Sequence, residues 1–305
     1  MIRAALLFLF VPLLASATAS ADPDALARRT IMSAGSERSF YLHEPARAYP
    51  GSARPAVLVL HGGGGNGVIS AAMSGFNAKA DAEGFLAVYP NGSGRFGERL
   101  LTWNATHCCA YAMRENVNDV AFLGDLIDEL IRRDRVDPKR VYVTGMSNGA
   151  MMSFRAGREL SNKIAAIAPV VGAMFGDETP PAMPMPIIMF NSRTDKSVPF
   201  EGGPARIRAG TTVGNADYKP AAFALDFWAK ANRCNQPPTI AQQPGVTITR
   251  FDRCDANASV VLYALDSGGH SWPGGRASGR RGADEPDAKV DATSLMWDFF
   301  KLRTR

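Results

Sequence analysis

The pentapeptide Gly145-Met146-Ser147-Asn148-Gly149 constrains this chain more than any other stretch. A G-x-S-x-G pattern alone recurs by chance, so its setting decides. Arg140-Val141-Tyr142-Val143-Thr144 leads in with strand composition, and Ala150-Met151-Met152-Ser153-Phe154 leads out with helix composition. A strand that turns at once into a helix holds the central serine in a strained conformation at the tip of the turn. Its hydroxyl then projects from the C-terminal edge of a sheet, beside a helix N-terminus. Gly145 and Gly149 lack Cβ atoms, so strand and helix can close on one another. The pattern predicts a nucleophilic Ser147 on an α/β scaffold.

The remaining chain alternates in the same way. Ser39–Leu42 is an early strand. Ala56–Leu60 and Phe85–Tyr89 are continuous apolar runs, as strands buried on both faces require. Further strands are expected at 140–144, 164–171, 186–190 and 260–265. Helices are expected at 119–133, 148–160, 223–232 and 293–302. In the first of these, Val120, Leu123, Ile127 and Leu130 recur every three or four positions. Asn118 or Asp119 is its cap, with Asp119 read as a capping residue rather than a catalyst, and Asp291 caps the last helix. This alternation implies a mostly parallel central sheet with helices on both faces. No repeat or composition break divides the chain, so residues 22–305 are read as a single domain.

Residues 1–21 read as a cleaved signal peptide. Met1-Ile2-Arg3 is a basic start, Ala4–Leu14 is an apolar run too short to span a bilayer, and Ala19-Ser20-Ala21 is a small-residue cleavage site. The expected product is secreted, extracellular or periplasmic, with no membrane attachment after cleavage. In such a compartment the four cysteines can form disulfides. Cys234 is expected to pair with Cys254; the adjacent Cys108 and Cys109 either bridge as neighbours, the reading that the oxidising compartment favours, or remain thiols. His107 beside that pair lacks metal-ligand spacing, so no metal is expected. The formal charge of +5 is scattered rather than striped, which argues against a nucleic-acid partner. Arg276, Arg280 and Arg281 are followed by Asp284, Glu285 and Asp287 and read as a solvated loop. A monomer is expected.

A serine at such a turn needs a base. Four histidines are available. His43 lies on an early strand, His61 opens a glycine loop that it is read as ordering, and His107 precedes the nucleophile. His270 follows the last strand, where the chain order serine, acid, histidine puts the base. The acid is expected at Asp195, after the strand Pro186–Phe190, with Asp177, Glu178 and Asp217 as rivals. Asp195 would hold the His270 tautomer. The oxyanion hole is expected from the backbone N–H groups of Asn148 and of Gly63, with Gly62 next, in His61-Gly62-Gly63-Gly64-Gly65-Asn66. That glycine run lacks the lysine or ribose-binding acid of a phosphate cradle. Trp272 and Trp103 are candidates for substrate contact and equally for core packing, and Tyr111 is a weaker candidate for the substrate. Loops 202–220 and 271–292 are expected to set selectivity.

These motifs together resemble those of the single-domain polyhydroxybutyrate-depolymerase-like and feruloyl-esterase-like proteins, related to family 1 carbohydrate esterases. The resemblance rests on Leu60–Asn66, Tyr89-Pro90-Asn91-Gly92, Trp103-Asn104 with Cys108-Cys109, Asp119–Leu123, Val141–Met152 and Val198–Gly203. It continues through Trp228, Asn232 and Cys234, Gly268–Gly274, and Asp291 to Phe300. It implies an α/β-hydrolase fold and hydrolysis of carboxylic esters, polyester or plant-wall, through an acyl-enzyme without a cofactor. It also carries the triad roles onto Ser147, Asp195 and His270. The chain departs from the family at Asn191-Ser192, where members often carry His-Gly. Two rival readings are a secreted serine peptidase of the same fold and a catalytically dead polysaccharide-binding protein.

Overall fold

A computed structural model describes residues 26–45, 53–204, 217–277 and 283–305. The signal peptide expected at residues 1–21 lies outside the described residues, as do Arg280 and Arg281 and the middle of the 202–220 loop.

Two strands, β1 (Ala27–Ser33) and β2 (Ser36–His43), form an antiparallel hairpin. Then follow β3 (Arg54–Leu60), α1 (Gly67–Ser74), α2 (Phe76–Glu83) and β4 (Leu86–Pro90). After a long connection come α3 (Ala110–Arg114), α4 (Asp119–Asp134), β5 (Val136–Met146), α5 (Asn148–Glu159) and β6 (Ala166–Val170). The chain ends with β7 (Ile187–Ser192), α6 (Ala221–Ala231), β8 (Thr239–Gln243), β9 (Val246–Phe251), β10 (Val260–Leu265) and α7 (Ala292–Phe300).

The ten strands among the described residues join one sheet in the order β1-β2-β4-β3-β5-β6-β7-β10-β9-β8. The six from β4 to β10 run parallel, flanked at each end by an antiparallel pair. The apolar run of β3 shows why the sheet is covered twice. Ala56, Leu58 and Leu60 enter one core with Phe122, Leu126, Ile127 and Met152. Val57 and Val59 enter the other with Phe76, Met296 and Phe300. Side chains alternate across a strand, so a run without polar residues can be satisfied only by helices on both faces. Each fully buried side chain of this size contributes about 1.5–3 kcal/mol.

Local chemistry sets several boundaries. The Asn118 side chain accepts from Ala121 N–H at 3.0 Å and caps α4. The Asp291 carboxylate does the same for α7 through Ser294 N–H. Asp119 departs from its expected role. It is the first residue of α4, fully buried, and its carboxylate takes Arg38 at 2.7 Å and the Asn104 N–H at 2.7 Å. Burial pushes the Asp119 carboxyl above its usual range, against the pull of the Arg38 guanidinium. The sulfurs of Cys234 and Cys254 are joined, closing the β8–β9 hairpin onto the end of α6, and those of Cys108 and Cys109 are joined as neighbours.

Candidate active site

The parallel strands place their C-terminal ends on one edge of the sheet, and the expected catalytic residues follow from those ends. Between β5 and α5, Ser147 adopts φ 58° and ψ −121°. A non-glycine residue held there costs about 1–3 kcal/mol and persists only where its surroundings fix it. They do: Ser147 N–H donates to Val170 O at 2.9 Å, and Ser147 O accepts from Met151 N–H at 3.0 Å. The flanking glycines are required by close approach. A Cβ on Gly145 would lie 2.6 Å from Gly149 O, and one on Gly149 would lie 2.4 Å from Leu60 O.

Ser147 Oγ lies 2.8 Å from His270 Nε2, and His270 Nδ1 lies 2.7 Å from Asp195 Oδ2. The carboxylate has no proton to give, so Nδ1–H donates to it and the Nε2 lone pair faces the serine hydroxyl. The second Asp195 oxygen accepts from Ser197 N–H at 2.7 Å and Val198 N–H at 2.9 Å. The Asp195 side chain is 1% exposed and that of His270 14%. Burial, with the Asp195 carboxylate adding, pushes the neighbouring Tyr218 hydroxyl up to about 12, so it stays neutral. Asn191 and Ser192, where the chain departs from the proteins it resembles, still anchor the acid loop. Asn191 Nδ2 donates to Gly172 O at 3.0 Å, and Ser192 Oγ to Ser267 O at 2.9 Å.

The rival acids are engaged elsewhere. Asp177 bonds His107 Nε2 at 2.7 Å, and that bond holds its carboxyl below the usual range. Glu178 accepts the Phe175 and Gly176 N–H groups, and Asp217 is exposed. A further acid, expected in a solvated loop, meets the base instead. Asp284 Oδ2 accepts from the backbone N–H of His270 at 2.6 Å, beside Gly269, whose φ is +52°. A Cβ on Gly269 would lie 2.5 Å from that oxygen. Asp284 follows an arginine- and glycine-rich stretch, and nothing in its local sequence distinguishes it from a solvated loop residue.

The glycine loop after β3 crosses the turn. A Cβ on Gly62 would lie 3.5 Å from Ser147 Cβ, and one on Gly63 3.7 Å from Asn148 Cβ. Asn148 opens α5, so its N–H has no intrahelical acceptor. Its buried side chain is clamped on the backbone of Trp103: Oδ1 accepts from Trp103 N–H at 2.7 Å, and Nδ2 donates to Trp103 O at 3.0 Å. The Trp103 indole N–H in turn donates to His61 O at 3.0 Å. His61 Nε2 accepts from Gly92 N–H at 2.9 Å, and its Nδ1 lies 2.8 Å from Gly62 O. His61 therefore orders the glycine loop through both ring nitrogens.

The two tryptophans do not reach substrate space. Trp103 is 0% and Trp272 1% exposed. Trp272 stands edge-on to Phe76, and its N–H donates to Thr293 Oγ1 at 3.0 Å. Each indole finds both an apolar bed and a buried acceptor, so each belongs to the core that supports the site. Tyr111 is half-buried, with the Arg95 guanidinium 5.8 Å from its ring centre.

A sequence profile described as "Esterase PHB depolymerase" matches residues 39–208. A Nocardia uniformis subsp. tsuyamanensis protein carrying the esterase name NocK is 32% identical over 84% of this chain and 76% of its own length. Feruloyl esterase B of Piromyces equi is 30% identical over 72% of this chain. The chain spans only 36% of that relative's length. Among solved structures, the acetyl xylan esterase from Aspergillus awamori aligns with a TM-score of 0.57, covering 80% of this chain and 94% of its own. At 14% identity that likeness concerns the α/β-hydrolase fold.

Proposed function

The chain belongs to the esterase PHB depolymerase family, and on that premise we propose that it is a secreted serine carboxylic-ester hydrolase working through an acyl-enzyme. The observation that carries the reading is the continuous relay from Ser147 Oγ through His270 to Asp195, with bonds of 2.8 and 2.7 Å.

Ser147 Oγ attacks the ester carbonyl while its proton passes to His270 Nε2. Asp195 stabilises the imidazolium that forms and keeps the ring in register, held itself by Ser197 and Val198. The carbonyl oxygen becomes an oxyanion facing the N–H groups of Asn148 and Gly63. Each such donor is typically worth about 10²–10³ in rate. His270 returns the proton to the departing alcohol. Water then repeats the sequence on the acyl-Ser147 ester, releasing the acid and restoring the serine. All charge movement is handled by side chains and backbone, so no cofactor enters the scheme.

The substrates are esters of hydroxyalkanoate polyesters or of acylated plant polysaccharides; the family description, which names a polyester depolymerase, and the feruloyl esterase relative support this reading. The test is Ser147→Ala. The variant should fold as wild type and lose p-nitrophenyl acetate hydrolysis by several orders of magnitude, on the order of 10⁴ or more. Retention of wild-type turnover, or failure of a fluorophosphonate to label Ser147, would overturn the reading.

A further inference from the structure

Strands β7 and β10 lead into the acid and the base, and their parallel ladder ends before either residue is reached. Its last register pair is Ser192 with Leu265, and Arg193 N–H donates to Leu265 O at 2.8 Å. Asp195 and His270 stand on the two loops beyond, and their contact of 2.7 Å spans the gap between them. The base loop is tied to the segment that follows it: Asp284 accepts from His270 N–H at 2.6 Å, and Asp287 accepts from Ser267 Oγ. Those two bonds do not involve the acid loop. The Arg193–Asp266 ion pair at 3.4 Å does cross, but both partners are exposed, so it adds little.

Two hydroxyls bridge the same gap immediately before the catalytic residues. Ser192 Oγ donates to Ser267 O at 2.9 Å, and Gly269 N–H donates to Thr194 Oγ1 at 3.2 Å. The two hydroxyl oxygens lie 3.0 Å apart. A carbonyl has no hydrogen to give, so Ser192 spends its only hydroxyl hydrogen on Ser267 O. Thr194 Oγ1–H therefore donates to Ser192 Oγ, which also accepts from Thr194 N–H at 3.2 Å. The result is one directed chain of bonds, from Gly269 N–H through Thr194 and Ser192 to Ser267 O. It grips the base loop on both sides of Gly268 and the acid loop on both sides of Arg193. Ser192 is buried and Thr194 is exposed. The proteins this chain resembles often carry glycine in place of Ser192. Glycine offers no hydroxyl, so the chain of bonds comes with the departure.

We propose that Ser192 and Thr194 are positioning residues of the triad, whose linked hydroxyls tie the acid loop to the base loop and set Asp195 in register with His270. It rests on the serine-hydrolase reading above. Neither hydroxyl takes part in bond making at the ester; each acts through the placement of Asp195 against the imidazole.

The test is p-nitrophenyl acetate hydrolysis by Ser192→Ala, Thr194→Val and Thr194→Ser, beside thermal unfolding, with Ser192→Ala repeated in the Asp195→Asn background. Small misplacement of a catalytic group costs rate rather than binding, so Ser192→Ala should lower kcat by about tenfold with KM within about twofold. Thr194→Val keeps the side-chain shape, and water at this exposed place can partly replace the hydroxyl, so kcat should fall by only about threefold. Thr194→Ser keeps the hydroxyl and should match wild type. If Ser192→Ala does not fold, the Val and Ser variants at position 194 decide the question. With Asp195→Asn already present there is no carboxylate to position, so Ser192→Ala should cost less than about twofold more. Wild-type kcat in Ser192→Ala, a loss of stability alone, equal rates in Thr194→Val and Thr194→Ser, or a further full tenfold loss in the Asp195→Asn background overturns the proposal. Wild-type turnover by Asp195→Asn itself strikes the triad reading instead.

Discussion

The geometry around Asp195 makes Asp195→Asn a sharper perturbation than its near-isosteric shape suggests. An asparagine amide has one oxygen and one NH₂, and here the choice of which goes where is fixed. The position of Oδ1 receives two backbone N–H groups, from Ser197 at 2.7 Å and Val198 at 2.9 Å. An NH₂ in that place would face two donors and leave both buried groups unpaired, at about 1–3 kcal/mol each. The amide oxygen must therefore stay, and the NH₂ points at His270 Nδ1. That nitrogen can then only accept, so the ring proton moves to Nε2 and meets Ser147 Oγ as a donor. The lone pair that should take the serine proton is gone. In a comparable triad this wrong tautomer costs about 10⁴ in kcat, or ~5.4 kcal/mol of transition-state stabilisation at 1.36 kcal/mol per tenfold. Stability should change little, since both backbone N–H groups keep an acceptor. The assay is single-turnover acylation with p-nitrophenyl acetate beside thermal unfolding. The variant should retain its fold and KM while the acylation rate falls by three to four orders of magnitude. A rate within tenfold of wild type would refute the assignment of Asp195 as the orienting carboxylate.

Three further outcomes are expected. Asp284→Ala removes the acceptor of His270 N–H, loosening the base without touching substrate, so kcat should fall by roughly tenfold with KM steady. Asp284→Asn keeps an acceptor and should restore most of it; equal loss in both variants would show that charge matters rather than placement. Trp272→Ala should lower stability by about 3–5 kcal/mol, as a core truncation does, and leave the KM of small esters unchanged in the folded fraction. A raised KM at full stability would return Trp272 to the substrate. Arg38→Met strips the guanidinium from Asp119 in a fully buried place, costing about 3–5 kcal/mol near neutral pH. The Asp119 carboxyl already lies above its usual range in the folded protein, and the variant raises it further. Stability that depends on the protonated form is present below the unfolded value and lost as pH rises through the folded one. Chemical unfolding should therefore show a smaller penalty at pH 5 than at pH 8, and a larger penalty at pH 5 would reverse the argument.

Much of the frame was legible before any coordinates, for reasons that lie in periodicity. The β3 run alternates between two cores, and only a doubly covered sheet accepts five apolar residues in a row. The expected strand of 140–144 and helix of 148–160 became β5 and α5, with the serine between them. Other elements left no such trace. Every residue of β8 is exposed, so Thr239–Gln243 shows no buried alternation to read. The pair α1 and α2 is short and separated by Gly75 at φ +73°, which breaks any helical period before it accumulates.

Sequence alone determined the turn that carries Ser147 and the order in which serine, acid and histidine follow one another along parallel strands. Those are local and topological facts: glycines where backbones must touch, and strand ends that all face one edge. Tertiary structure alone decided the rest. It turned Trp103 and Trp272 inward, because each indole N–H found a buried acceptor 42 or 21 residues away. It set Asp284 beneath the backbone of His270 and the Asn148 amide against Trp103. It also joined the acid loop to the base loop through Ser192 and Thr194. A residue's type states what bonds it can make; which partner lies within 3 Å depends on loops closing from far away.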